Sequence, residues 1–182
     1  MKTLRRYTVI GILFVMLTGT LAHFLYDWSG KHGVVGLFSP VNESVWEHMK
    51  LLFFPMLLYS LFLIGRLKGD FPCLPSSLWA GLLAGTLAIP LLYYGYTCIL
   101  GRDVFLLDLG IFLLSVLIAF RIACRLALSC KGKPYGILLG CFVCILLACF
   151  LWFTYHPPKA GLFTDPTARE EAVLPPLFFV QG

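Results

Sequence analysis

Charge is what this sequence has least of: Asp, Glu, Lys and Arg make up 13% of its 182 residues, nine acids against fourteen bases. A soluble domain devotes about a quarter of its residues to charge, so a surface wetted on all sides is excluded. The period-two alternation of a transmembrane barrel strand is missing. A basic groove interleaved with aromatics is missing too, and no nucleic-acid partner is expected. No H-E-x-x-H string or equivalent marks a metal-dependent hydrolase.

Apolar residues fill the gap, at 59% of the chain and a mean hydropathy of +0.88. They come in blocks of about 20, the length an α-helix needs to cross a bilayer core. Backbone groups in lipid must bond within their own segment, which selects helices. The predicted fold is all-α, an integral membrane bundle of five transmembrane helices over residues 7–25, 45–64, 77–100, 104–126 and 135–155. Residues 1–156 form that domain and 157–182 a Pro-rich outer tail. Lys2, Arg5 and Arg6 ahead of Thr20-Leu21-Ala22 also admit a signal peptide, but the apolar run is long for a signal core.

Lys and Arg are retained on the cytoplasmic side of a membrane. Numbering the connections alternately puts Lys2, Arg5, Arg6, Arg66, Lys68, Arg121, Arg125, Lys131 and Lys133 on one side, nine of the fourteen bases. The amino terminus is therefore expected in the cytoplasm and the carboxyl terminus outside, in a multi-pass protein of the cell membrane. The same alternation sends His23, His32, His48 and His156 to the outer face. Eight of the nine acids go with them: Asp27, Glu43, Glu47, Asp103, Asp108, Asp165, Glu170 and Glu171.

The seven cysteines fall mostly within spans or on the cytoplasmic side, where no disulfide framework is expected. Cys141-x-x-Cys144 sets two thiols a turn apart, without a second pair to complete four ligands. Gly81-x-x-x-Gly85 and Gly136-x-x-x-Gly140 are spacings that let helices approach closely, and they predict that the third and fifth spans are buried in contacts. Pro55 and Pro90 lie inside the second and third spans, where a kink is expected.

Polar chemistry gathers at the start of the second span. Ser39 or Asn42 can cap it, and Glu43 suits its dipole. Glu47 and His48 then lie about 7 Å deeper and Lys50 about 12 Å, a depth at which ionisable groups need partners or a wet cavity. A Glu47–Lys50 pair within the helix is the simplest partner. On the first span His23 and Asp27 are four apart and share a face, and Asp108 enters the fourth by a turn. If these ends converge, they make a cluster rich in metal ligands and proton-exchanging groups. The Gly-rich, apolar connection 29–41 is free to fold over it.

The strings His23-Phe24-Leu25-Tyr26-Asp27-Trp28-Ser29-Gly30 and Phe38-Ser39-Pro40-Val41-Asn42-Glu43-Ser44-Val45-Trp46-Glu47-His48-Met49-Lys50 resemble the signature of an uncharacterised family of small bacterial integral membrane proteins. Leu162-Phe163-Thr164-Asp165-Pro166 resembles that family's carboxyl-terminal motif. The resemblance implies a multi-span membrane protein and brings no activity or cofactor.

The expected function is an outward-facing polar pocket that binds a small ligand or lipid headgroup, or assembles with a partner, through Asn42, Glu43, Trp46 and Lys50. The alternative is a metal-dependent intramembrane hydrolase of an outer-leaflet lipid, with Zn²⁺ on His23, Asp27, His48 and Asp108 and Glu47 as catalytic base. A small proton-coupled transporter using Glu47 and Lys50 is third.

Overall fold

Each apolar block folds as one helix, because in lipid the i to i−4 bonds are the nearest partners for every backbone group. The structure is a computed structural model and describes residues 2–165. Six α-helices and no strand occur among the described residues: α1 (Lys2–Trp28), α2 (Gly33–Gly36), α3 (Val45–Leu67), α4 (Leu74–Leu100), α5 (Phe105–Ser129) and α6 (Gly136–Phe153). All but the single turn α2 are long and apolar enough to cross a membrane. Single 3₁₀ turns occupy Lys133–Tyr135 and Gly161–Phe163. Residues 166–182 of the expected tail, with their apolar Leu174, Leu177, Phe178 and Phe179, lie outside the described residues.

The long helices α1, α3, α4 and α5 run a few residues past the predicted spans, chiefly at the end rich in Lys and Arg. Hydropathy marks where the chain is apolar, whereas a helix continues until its end groups are capped. Cys130 and Gly101 supply such stops in the left-handed conformation, at φ 53° and 69°, each donating its N–H back to the preceding turn. Pro55 and Pro90 lie inside helices that run on through them.

The long helices α1, α3, α4, α5 and α6 alternate up and down. Helix α3 is the most buried, packed between α1 and α4, and α4 in turn packs on α5 and α6. Leu52, Phe53 and Met56 of α3 meet Val15, Leu82 and Val116 in the core. Apolar side chains such as Leu13, Leu91 and Ile99 face outward, as a lipid-exposed surface requires.

The most extensive seam is α4 against α5. A Cβ on Gly81 would come within 2.5 Å of the Ala119 carbonyl oxygen, and one on Gly85 within 2.5 Å of the Ala119 Cβ. For the third span the expectation of burial holds. For α6 it is corrected: only Val143 and Phe150 are buried there, while Ile137, Leu138, Phe142 and Ile145 are exposed. Among the described residues Gly140 has only the edge of Trp79 at 3.8 Å, while an added Cβ on Gly136 would lie 3.3 Å from the Ser76 Cβ, so α6 comes close to α4 at its start alone.

A second correction concerns the cysteines. Cys73 and Cys130 form a disulfide with Cα atoms 5.3 Å apart. The antiparallel α4–α5 hairpin returns the end of α5 to the start of α4, and a sequence separation of 57 hid this contact. Cys141 and Cys144 are free and exposed on α6.

Candidate functional site

Opposite the basic end, the last turns of α1 meet the first turn of α3 and the connection between them. Ser44 is the cap of α3, its Oγ accepting from the Glu47 N–H at 3.4 Å. Neither expected cap fills that role. The Ser39 hydroxyl donates to the Val35 carbonyl, and the Asn42 side chain accepts from the Ser44 N–H at 3.0 Å. The Asn42 turn and the Ser44 cap therefore fix the chain on either side of Glu43, which sits just ahead of the positive end of α3.

Glu43 lies between two histidines. Its Oε2 is 3.3 Å from His48 Nε2 and its Oε1 is 3.8 Å from His23 Nε2. The two imidazole centroids are 5.3 Å apart. One ligand atom from each of the three residues lies within 4.8 Å of the others. On a tetrahedral zinc with bonds of about 2.1 Å, ligand atoms are separated by about 3.4 Å.

The tautomer of His48 follows from its second contact. Its Nδ1 is 3.0 Å from the Ser44 carbonyl oxygen, which can only accept, so Nδ1 carries a proton. Nε2 then faces a carboxylate oxygen and needs a cation between them, either its own second proton or a metal ion. That hydrogen bond from His48 holds the Glu43 carboxyl below the usual carboxylate range, against the opposing effect of partial burial. Asp27 and Asp108 stand outside the trio, Asp27 within electrostatic reach of His23 and Asp108 of His48. Asp108 accepts from the Tyr96 hydroxyl at 2.5 Å.

Glu47 and Lys50 form a second assembly. Lys50 is fully buried, and its three donors are all used: Glu47 Oε2 at 2.6 Å, Thr154 Oγ1 at 2.6 Å and the Gly36 carbonyl at 3.1 Å. Glu47 Oε2 also accepts from the Val41 N–H at 3.0 Å. Trp46 packs on Phe150 of α6 and on Phe163 beyond it, and the Asp165 carboxylate accepts from the Glu43 N–H at 3.3 Å.

The model of a family of unknown function (DUF6512) matches residues 1–171. The chain belongs to that family. No curated protein and no solved structure matches it. The family match spans all five long helices and every residue of both assemblies.

Of the residues singled out in the sequence, His23, Glu43 and His48 come together, and Glu47 pairs with Lys50 as expected. Asn42 serves the turn ahead of the helix and Trp46 serves packing, its indole N–H buried with no hydrogen-bond partner among the described residues. His32 and His156 lie apart and exposed, His156 stacked on Trp152. Sequence reasoning missed Ser44 and Thr154. Ser44-x-x-Glu47 was readable as a capping string. Nothing local marks Thr154, 104 positions from Lys50.

Proposed function

We propose that this membrane protein binds a divalent transition-metal ion at His23, Glu43 and His48 on its extracytoplasmic face, with the amino terminus in the cytoplasm. The carrying observation is the His48–Glu43 contact: a ring nitrogen whose partner nitrogen is already a donor faces a carboxylate oxygen 3.3 Å away. Two imidazoles and a carboxylate are a usual donor set for zinc with a free fourth position. The electrostatics agree, since Asp27, Asp108 and Asp165 act on the trio while Lys50 is turned to Glu47.

Glu43 is the most exposed of the three side chains, at 47%. A fourth ligand therefore enters from the aqueous side, and a small anion or lipid headgroup would be held through the metal. Hydrolysis has less support, because the carboxylate expected as base, Glu47, is held by Lys50 and the Val41 N–H.

Titration of the purified, chelator-stripped protein with zinc tests this reading. One equivalent binds to the wild type, and His23→Ala, His48→Ala and Glu43→Gln each weaken binding at least tenfold. A wild type that takes up no zinc, or variants that bind it equally well, overturns the proposal.

A further inference from the structure

The Glu47–Lys50 pair is costly for its position. Both side chains are nearly or fully buried, at 3% and 0% exposure, and removing each ion from water costs several kcal/mol, about what their attraction returns. Apolar residues of similar volume often leave stability unchanged or improved. Stability alone is therefore a weak account of the pair, and where its hydrogen bonds go is more informative.

They join three separate segments. Lys50 reaches Gly36 in the connection and Thr154 at the end of α6, while Glu47 takes the Val41 N–H. Tyr155, beside Thr154, donates to the Gly33 carbonyl. Gly36 fits so closely that an added Cβ would lie 2.6 Å from Val41 and 2.7 Å from the Tyr155 hydroxyl. The connection is thus pinned at positions 33, 36 and 41, and Ser44 fixes it again at the helix cap. Glu43 lies in the short interval between the last two pins.

We propose that Glu47 and Lys50 are positioning residues for the metal site, holding the 33–41 connection so that the Glu43 carboxylate stays between His23 and His48. This rests on the metal reading above. It assigns the buried charges a role around 100° or more away from His48 on the α3 surface: they touch no metal and act through Glu43 alone. Loss of such outer partners costs about 10- to 100-fold in metal affinity.

The test replaces the pair by apolar residues, Glu47→Leu with Lys50→Met, and measures the zinc Kd with and without Glu43→Gln. The expected result is a Kd weakened about tenfold in the otherwise native protein and changed less than about twofold when Glu43 is already replaced. A native Kd, or an equal loss in both backgrounds, overturns the proposal. Thr154→Val, which keeps both charges, is the milder second variant should the double variant fail to fold, with a loss of about threefold. Amide hydrogen exchange of the metal-free protein provides the separate readout. The amides of Gly36, Val41 and Glu43 exchange faster once the pair is gone, and unchanged protection refutes the positioning role whether or not zinc binds. Wild-type protein that takes up no zinc overturns the metal reading instead.

Discussion

The rings of Trp46 and Phe163 meet with centroids 4.9 Å apart, so the segment after α6 closes over the first turn of α3. Phe163 also meets Phe153 edge-on at 5.6 Å. The result is an aromatic cap on the end of the bundle where Glu43, His23 and His48 converge. Phe163→Ala is expected to destabilise the protein by about 1–2 kcal/mol, below the figure for a core Phe because the ring is half-buried. Thermal unfolding in detergent measures this, and an unchanged midpoint would show that the segment does not dock.

Glycines at the α4–α5 seam and on the α4 surface should respond in opposite ways. Gly81→Ala puts a methyl on the Ala119 backbone oxygen, which has no rotamer to yield, and is expected to cost about 1–3 kcal/mol. Gly95→Ala meets nothing within 4 Å among the described residues and gains about 0.5–1 kcal/mol of helix propensity. The same unfolding assay ranks the two variants. Equal effects would contradict the seam.

The disulfide and the charge bias make conflicting demands on the same end of the molecule. Cys73 and Cys130 lie with Arg66, Lys68, Lys131 and Lys133, and basic residues of this kind are expected on the cytoplasmic side, where thiols are kept reduced. With the amino terminus inside, alkylation in intact cells before lysis is expected to trap both thiols reduced, the bond forming only on isolation. A bond present in the trapped sample would place that end in an oxidising compartment and reverse the orientation.

In isolated protein the bond closes a loop of 57 positions, worth up to about 4 kcal/mol in chain-entropy terms. Helices that stay in the membrane when unfolded have less freedom to lose. Cys73→Ala is therefore expected to lower stability by about 1–3 kcal/mol under oxidising conditions and to have little effect in excess reductant. Unfolding with and without dithiothreitol separates the two cases, and a loss of equal size in both would assign the effect to packing of the buried Cys73.

The helices were legible because each needs about 20 apolar residues in a row, a signal carried within a single segment. The Glu47–Lys50 pair was legible for the same reason, being three residues apart on one helix. What escaped depends on segments that meet only after folding. Asp27 shares a helix face with His23 and looked like its natural co-ligand. The folded connection brings Glu43 there instead, and Asp27 stays exposed. Thr154 and Asp165 owe their contacts to the return of α6 and the chain beyond it, which no local spacing records. Cys73 and Cys130 escaped likewise, each unremarkable until the α4–α5 hairpin closes.

The most direct test of the metal site is the zinc X-ray absorption spectrum of the loaded protein. Two imidazole nitrogens and oxygen ligands at about 2.0–2.2 Å are predicted, with one imidazole lost in His48→Ala. Sulfur scattering at about 2.3 Å, which would assign the ion to cysteines such as Cys141 and Cys144, would contradict the account, as would a spectrum unchanged by His48→Ala.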